Sequence, residues 1–203
     1  MNVGIIAVCG PAGSGKSSLC FSFSKFLQKH GVKCAVANFD PAAKRPPYVP
    51  DFDVRKRFPA RSFSKKAGGN TDRACEMALQ SSLESEETWR QLRALGADSV
   101  LLDLRSPLDS LLFQAGRGVL ERADSVLYVA DAPHTGDYAL FESTCAFLSR
   151  ACEKPVFPVL NKSDSLKRAK ATLFAPTRQK PKAVLLVSAL ERRGFDALAA
   201  AIA

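Results

Sequence analysis

No apolar run in these 203 residues is long enough to span a bilayer, so a membrane-spanning helix is excluded. No secretory pattern opens the chain, because the first apolar run leads straight into a glycine-rich loop. No two of the six cysteines, at 9, 20, 34, 75, 145 and 152, have C-x-x-C spacing. Neither a disulfide framework nor a zinc site is therefore signalled, and free thiols in a reducing cytoplasm are the expectation. Aromatics do not interleave with the basic residues in any stacking pattern, so RNA binding is a weak reading.

Positive charge is plentiful. The formal net charge is +9. Lys44, Arg45, Arg55, Lys56, Arg57, Arg61, Lys65 and Lys66 crowd one stretch, and Lys167, Arg168, Lys170, Arg178, Lys180 and Lys182 another. A polyanion, or the phosphates of a single nucleotide, would suit such a balance. A merely solvated basic surface is the competing reading, and nucleic acid stays a weak one. The length suits one α/β domain with a full-sized core, spanning residues 1–203 with an insertion-like segment at about 41–96.

Gly10-Pro11-Ala12-Gly13-Ser14-Gly15-Lys16-Ser17 fits G-x-x-x-x-G-K-[ST], the phosphate-binding P-loop. Its glycines let several backbone N–H groups face one centre, and the helix that follows, from Ser18, adds its N-terminal dipole. Lys16 is expected to reach the β- and γ-phosphates, and the Ser17 hydroxyl to ligate Mg²⁺. Context favours a P-loop over a chance turn. Val3-Gly4-Ile5-Ile6-Ala7-Val8 before it has the pattern of a buried strand. Ser18 to His30 after it has Leu19, Phe23, Phe26 and Leu27 close to helical spacing.

Further along, Gly31 ends the first helix and Val32 to Asn38 forms a second strand. Asp40-Pro41 then places a carboxylate at that strand's C-terminal end, the edge that faces ligand in doubly wound sheets. Asp40 is suited to a Mg²⁺-bound or attacking water, or simply to an Asx turn before Pro41. Residues 41–69 are expected to be loop and short helix. Asn70 to Leu83 is expected to be helical, with Ala74, Met77 and Ala78 on one face, and Ser85 to cap a second helix through Trp89 and Leu92 to Gly96. Ser99-Val100-Leu101-Leu102-Asp103 is an apolar strand ending in a carboxylate, so Asp103 is placed to bind Mg²⁺ through water. Helices over 108–122, 137–150, 165–175 and 195–202 alternate with strands over 125–130, 156–160 and 183–187. The expected fold is a three-layer α/β P-loop NTPase domain, a mostly parallel sheet with helices on both faces.

Asn161-Lys162-Ser163-Asp164 follows a late strand. Guanine presents N1–H and N2–H₂ side by side, and the Asp164 carboxylate can accept from both. The Lys162 stem can lie over the purine, Asn161 can pin neighbouring loops, and Ser188-Ala189 can offer a backbone N–H to guanine O6. The bland alternative is a helix start capped at Ser163 or Asp164.

With these residues in hand the chain resembles the GPN-loop GTPases of archaea and eukaryotes. Asn38-Phe39-Asp40-Pro41-Ala42-Ala43 is similar to the family's N-x-D-P-A segment, and Tyr48-Val49-Pro50-Asp51-Phe52-Asp53-Val54-Arg55 to its Y-x-P-x-x-D-[IV]-R segment. Two motifs are degenerate. Gly68-Gly69-Asn70 stands where the family has Gly-Pro-Asn, and Asp103-Leu104-Arg105-Ser106-Pro107 where it has D-T-P-G-Q. The stretch between Asn161 and Ser188 is shorter than usual. The resemblance implies a homodimer, or a pseudo-symmetric heterodimer, in which Asn70 reaches toward the partner's nucleotide. A simple helix cap is the competing role for Asn70. The resemblance also implies a chaperone-like part in assembling a client complex, since eukaryotic members serve RNA polymerase II biogenesis.

The residues expected to carry catalysis are Lys16, Asp40, Asp103 and Asn70. Ser17, Asp40 and Asp103 are expected to hold the metal. Hydrolysis is expected to be slow, because Ser106 and Pro107 replace the glycine and glutamine that would position the γ-phosphate and water, with Asp40, Asp109 or a partner's Asn70 left to substitute. Arg105 can offer positive charge to the transition state, although its direction is unspecified. The alternatives are a P-loop kinase acting on a polynucleotide or nucleoside, with the basic stretch 44–66 as its lid, and a non-hydrolysing pseudo-GTPase scaffold.

Overall fold

A computed structural model describes residues 4–105, 119, 122–133, 138–166 and 184–202. Its strands are β1 (Gly4–Cys9), β2 (Cys34–Phe39), β3 (Phe52–Asp53), β4 (Ser99–Leu104), β5 (Ser125–Asp131), β6 (Val156–Asn161) and β7 (Leu185–Leu186). Its α-helices are α1 (Lys16–Lys29), α2 (Val54–Arg57), α3 (Thr71–Glu84), α4 (Glu86–Arg93), α5 (Tyr138–Cys152) and α6 (Phe195–Ile202). The strands form one sheet in the order β3-β2-β4-β1-β5-β6-β7, and every pairing is parallel.

The nearly unbroken apolar strands are what a sheet covered on both faces requires. Side chains alternate along β4: Leu101 faces one core, and Leu102 and Leu104 face the other. One core packs α1 and α6 on the sheet through Leu19, Phe23, Leu27, Phe195 and Leu198. The Phe23 and Phe195 rings meet edge to face at 5.4 Å. The other core packs α3, α4 and α5 through Leu79, Leu83, Trp89, Leu92 and Leu148. The Trp89 indole N–H donates to the Leu83 carbonyl at 2.7 Å, which satisfies the polar end of a fully buried ring.

Because all strands run the same way, their C-terminal ends share one edge. The register sets Asn38 beside Asp103, Val8 beside Asp103, and Asp131 beside Asn161. Polar residues that are far apart in sequence therefore line one rim.

Among the described residues the expected alternation of strands and helices is present, with adjusted bounds. The segment 41–69 holds a two-residue edge strand, β3, that its proline- and basic-rich composition conceals. Met77 is half-buried; the core face of α3 is Ala74, Cys75, Ala78, Leu79, Ser82 and Leu83. Ser85 precedes α4 but makes no side-chain capping bond. Most of the expected helices at 165–175 and 108–122, and Ser106, Pro107 and Asp109, lie outside the described residues.

Candidate functional site

The loop from Gly10 to Gly15 joins β1 to α1 at the C-terminal rim, with Lys16 and Ser17 opening the helix. Two of its glycines are required by close approach as well as by backbone angle. Gly10 has φ 139, and a Cβ there would lie 2.0 Å from the Val129 carbonyl oxygen. Gly15 has φ 86, and a Cβ there would lie 2.5 Å from Asn161 Nδ2. Lys16 folds back over the loop and donates from Nζ to the Gly10 and Pro11 carbonyls, at 3.0 and 2.9 Å. It is only 8% exposed, and burial pushes its pKa down while the Asp103 charge opposes that. Ser14 is fully buried, and its Oγ has no hydrogen-bond partner among the described residues. Pro11, Ala12 and Gly13 are exposed at the loop's crest, and Ser18 is exposed on the first turn of α1.

Asp103, on β4 beside β1, is 4% exposed. Burial raises its pKa, and the Tyr48 and Ser17 hydroxyls and the Lys16 charge act against the rise. The Tyr48 hydroxyl donates to Asp103 Oδ2 at 2.6 Å. Burial, with the Asp103 charge beside it, pushes the phenol's own pKa up, so it stays a donor. Asp40 closes an Asx turn, accepting the Ala42 N–H at 2.8 Å through Oδ1. Its charge nevertheless acts on Lys16, Asp103 and Arg105, so it belongs to the same electrostatic cluster.

The two segments that carry the family resemblance form one hydrogen-bonded unit. Buried Asn38 donates from Nδ2 to Asp53 Oδ1 at 2.9 Å, and its Oδ1 accepts the Asp40 N–H at 3.1 Å. Asp53 accepts the Arg55 N–H at 3.0 Å and pairs with the Arg55 guanidinium at 2.6 Å. Arg55 also donates to the Ala43 carbonyl. Burial would raise the Asp53 pKa, but the bonds from Arg55 and Asn38 together hold it below the usual carboxylate value. The Asp51 carboxylate accepts the Val36 N–H at 2.8 Å. The stretch between Asp40 and Asp51 is thus fastened at both ends to β2.

Across the rim, Asn161 at the end of β6 bridges two loops. Its Nδ2 donates to the Ser14 carbonyl at 3.0 Å, and its Oδ1 accepts the Ala189 N–H at 3.0 Å. The expectation that Asn161 pins neighbouring loops is met. Lys162 has φ 61 and pairs with Asp131 at 2.6 Å, with its stem beside Gly15. The Asp164 carboxylate accepts from the Ser188 and Ser165 hydroxyls, and the Ser188 bond leads in holding its pKa down. The Ser188 and Ala189 N–H groups are engaged with the Arg193 carbonyl and Asn161, so donation to guanine O6 would require an exchange of partners.

Asn70 caps α3, its Oδ1 accepting the Arg73 N–H at 2.9 Å. Arg105 points to the same helix start and pairs with Asp72 at 2.6 Å, which ties the end of β4 to the first turn of α3. Sequence reasoning missed the Tyr48–Asp103 bond and the Asn38–Asp53–Arg55 unit. A polar Asn38 at the end of an apolar strand was the available signal.

The chain matches across residues 8–203 a family described as "Conserved hypothetical ATP binding protein". It is 26% identical over 170 residues to a GPN-loop GTPase of Pyrococcus abyssi, covering 80% of this chain and 68% of that one. It is 27% identical over 168 residues to GPN-loop GTPase 1 of Dictyostelium discoideum, covering 76% of this chain and 41% of that one. The crystal structure of a GTPase in apo form from Pyrococcus abyssi superposes with a TM-score of 0.80 at 23% identity, covering 98% of this chain and 96% of the other. These matches, together with the hydrogen-bonded unit built from its two motif segments, establish that the chain belongs to the GPN-loop GTPase family.

Proposed function

We propose that this chain is a guanine-nucleotide switch that binds GTP and GDP with Mg²⁺ and hydrolyses GTP slowly. The observation that carries guanine over adenine is the ionised Asp164 carboxylate, held at the rim by Ser188 while Asn161 ties the base-side loops to the phosphate loop. The family's printed description names ATP, whereas the relatives are named GTPases. The chemistry favours the second, because a carboxylate matches guanine's paired donors and adenine's edge has only one.

The donor set suits Mg²⁺. Ser17 and Asp103 are hard oxygen donors already in contact, with the Asp40 charge close by. Among the described residues no group of three His, Cys, Asp or Glu side chains could cage a metal. That fits an ion held by one or two protein groups, substrate phosphates and water. When bound, Mg²⁺ would neutralise developing charge on the phosphates. Lys16 would exchange its two carbonyl partners for phosphate oxygens, and the buried Ser14 hydroxyl supplies a further unused donor.

Asp40 is the proposed water-positioning residue. Pro107, in the place of the family's glutamine, has no side-chain donor or acceptor and favours slow turnover or the pseudo-GTPase reading. Asn70 and Asp72 stand exposed at the start of α3, which suits a second copy of the chain. We read the chain as one domain and a homodimer acting on a client protein. Its six free, buried cysteines favour a reducing, cytoplasmic setting.

Single-turnover phosphate release with purified protein tests the reading. The expected rate is well below about 1 per second, the low end of ordinary enzymes. A rate at or above it would contradict slow hydrolysis, and none at all would select the scaffold. Light scattering with a GTP analogue and Mg²⁺ tests the dimer.

A further inference from the structure

Residues 41–50 form an exposed connection with one buried member, Tyr48. Val49 beside it is 92% exposed. The Tyr48 ring packs in the core beneath α1 with Phe23, Val36 and Leu101. Its hydroxyl reaches across the sheet rim to Asp103 Oδ2, at 2.6 Å over a separation of 55 residues. Asp103 also receives the Ser17 hydroxyl. A carboxylate has two oxygens and about four lone-pair positions, so these bonds fix its plane and still leave acceptor capacity. An outer ligand of this kind orients the group that meets a metal-bound water, and such partners matter nearly as much as the ligands.

We propose that Tyr48 is a positioning residue for the metal: its hydroxyl fixes the Asp103 carboxylate and so makes the 41–50 connection part of the Mg²⁺ site. This rests on the guanine-nucleotide reading above. A connection plugged into the core by one side chain, with that side chain bonded to the metal-side carboxylate, is linked to metal occupancy by reciprocity. Whatever tightens Asp103 tightens the plug, and whatever grips the exposed residues around Val49 changes metal affinity by the same factor.

The test is the Mg²⁺ dependence of GDP affinity, measured by calorimetry with and without EDTA for wild type and Tyr48→Phe. Phenylalanine keeps the ring in the core and removes only the hydroxyl, and thermal unfolding of the variant confirms that it is folded. Affinity in EDTA is expected to stay within about twofold. The strengthening by Mg²⁺ is expected to fall about tenfold, in line with a lost hydrogen bond to a charged group. In an Asp103→Asn background the Tyr48→Phe change is expected to have no further effect on that strengthening. Equal strengthening in wild type and Tyr48→Phe, or an additive loss in the double variant, would overturn the proposal. A wild-type chain that binds GDP with no help from Mg²⁺ would overturn it too, leaving nucleotide binding intact. A wild-type chain that binds no GDP would overturn both this proposal and the reading beneath it.

Discussion

The two ends of the site are built differently. At the end proposed to hold the phosphates, Lys16, Asp103 and Asp53 are buried, and each keeps partners of its own: the Gly10 and Pro11 carbonyls, the Tyr48 and Ser17 hydroxyls, and Arg55 with Asn38. At the base end Lys162 and Asp164 stay partly exposed, held by Asp131 and Ser188. A buried charge must keep a partner at all times, so in the proposed function ligand arrival at the phosphate end would be an exchange of partners. An exposed charge can wait in water, and its bond to a base is made without uncovering a buried ion. Strength and metal dependence are therefore expected to come from the phosphate end, and selectivity between purines from the base end.

The largest break in that contrast is expected from Lys16→Ala. It removes the cation that, in the proposed function, exchanges the Gly10 and Pro11 carbonyls for phosphate. Loss of a charged contact of about 3 kcal/mol weakens GTP and GDP about 100-fold, read by calorimetry, with the preference for guanine over adenine unchanged. A changed preference with intact affinity would reverse the roles of the two ends.

Next comes Asp53→Asn, which empties the hub joining Asn38, Arg55 and the Asp40–Asp51 segment. Removing one partner of a mostly buried ion pair is expected to cost about 2–3 kcal/mol in urea unfolding at pH 7. The sign with pH follows from the depressed pKa of Asp53. Its contribution is complete above the unfolded carboxylate value, about 3.9, and is lost as pH falls through the lower folded value. The wild-type advantage over Asp53→Asn should therefore shrink below about pH 4. An advantage that grows there would refute the assignment.

Asn70→Ala is expected to act least, about 1 kcal/mol in unfolding, as for a lost helix cap. A far larger fall in single-turnover hydrolysis than in stability would instead show that Asn70 serves a nucleotide.

These contacts mark where sequence reading succeeded and where it stopped. Gly10 to Ser17 and Asn161 to Asp164 are legible because local backbone and side-chain chemistry defines each within eight residues. The alternation of apolar strands with amphipathic helices exposes the layered fold in the same way. Tyr48 is illegible for the opposite reason: its meaning lies in Asp103, across the sheet rim, and no spacing rule links them. β3 escapes because two residues carry no period, and Ser85 misleads because a capping residue type need not make the capping bond. Arg105 has no direction in sequence and is paired with Asp72 in space.

The most direct test is competition between GTP and ATP for the wild-type chain, repeated with Asp164→Asn. The account predicts that GTP binds at least about tenfold tighter than ATP, and that Asp164→Asn weakens GTP by about tenfold or more while leaving ATP nearly unchanged. Equal affinity of the wild-type chain for the two nucleotides would contradict it.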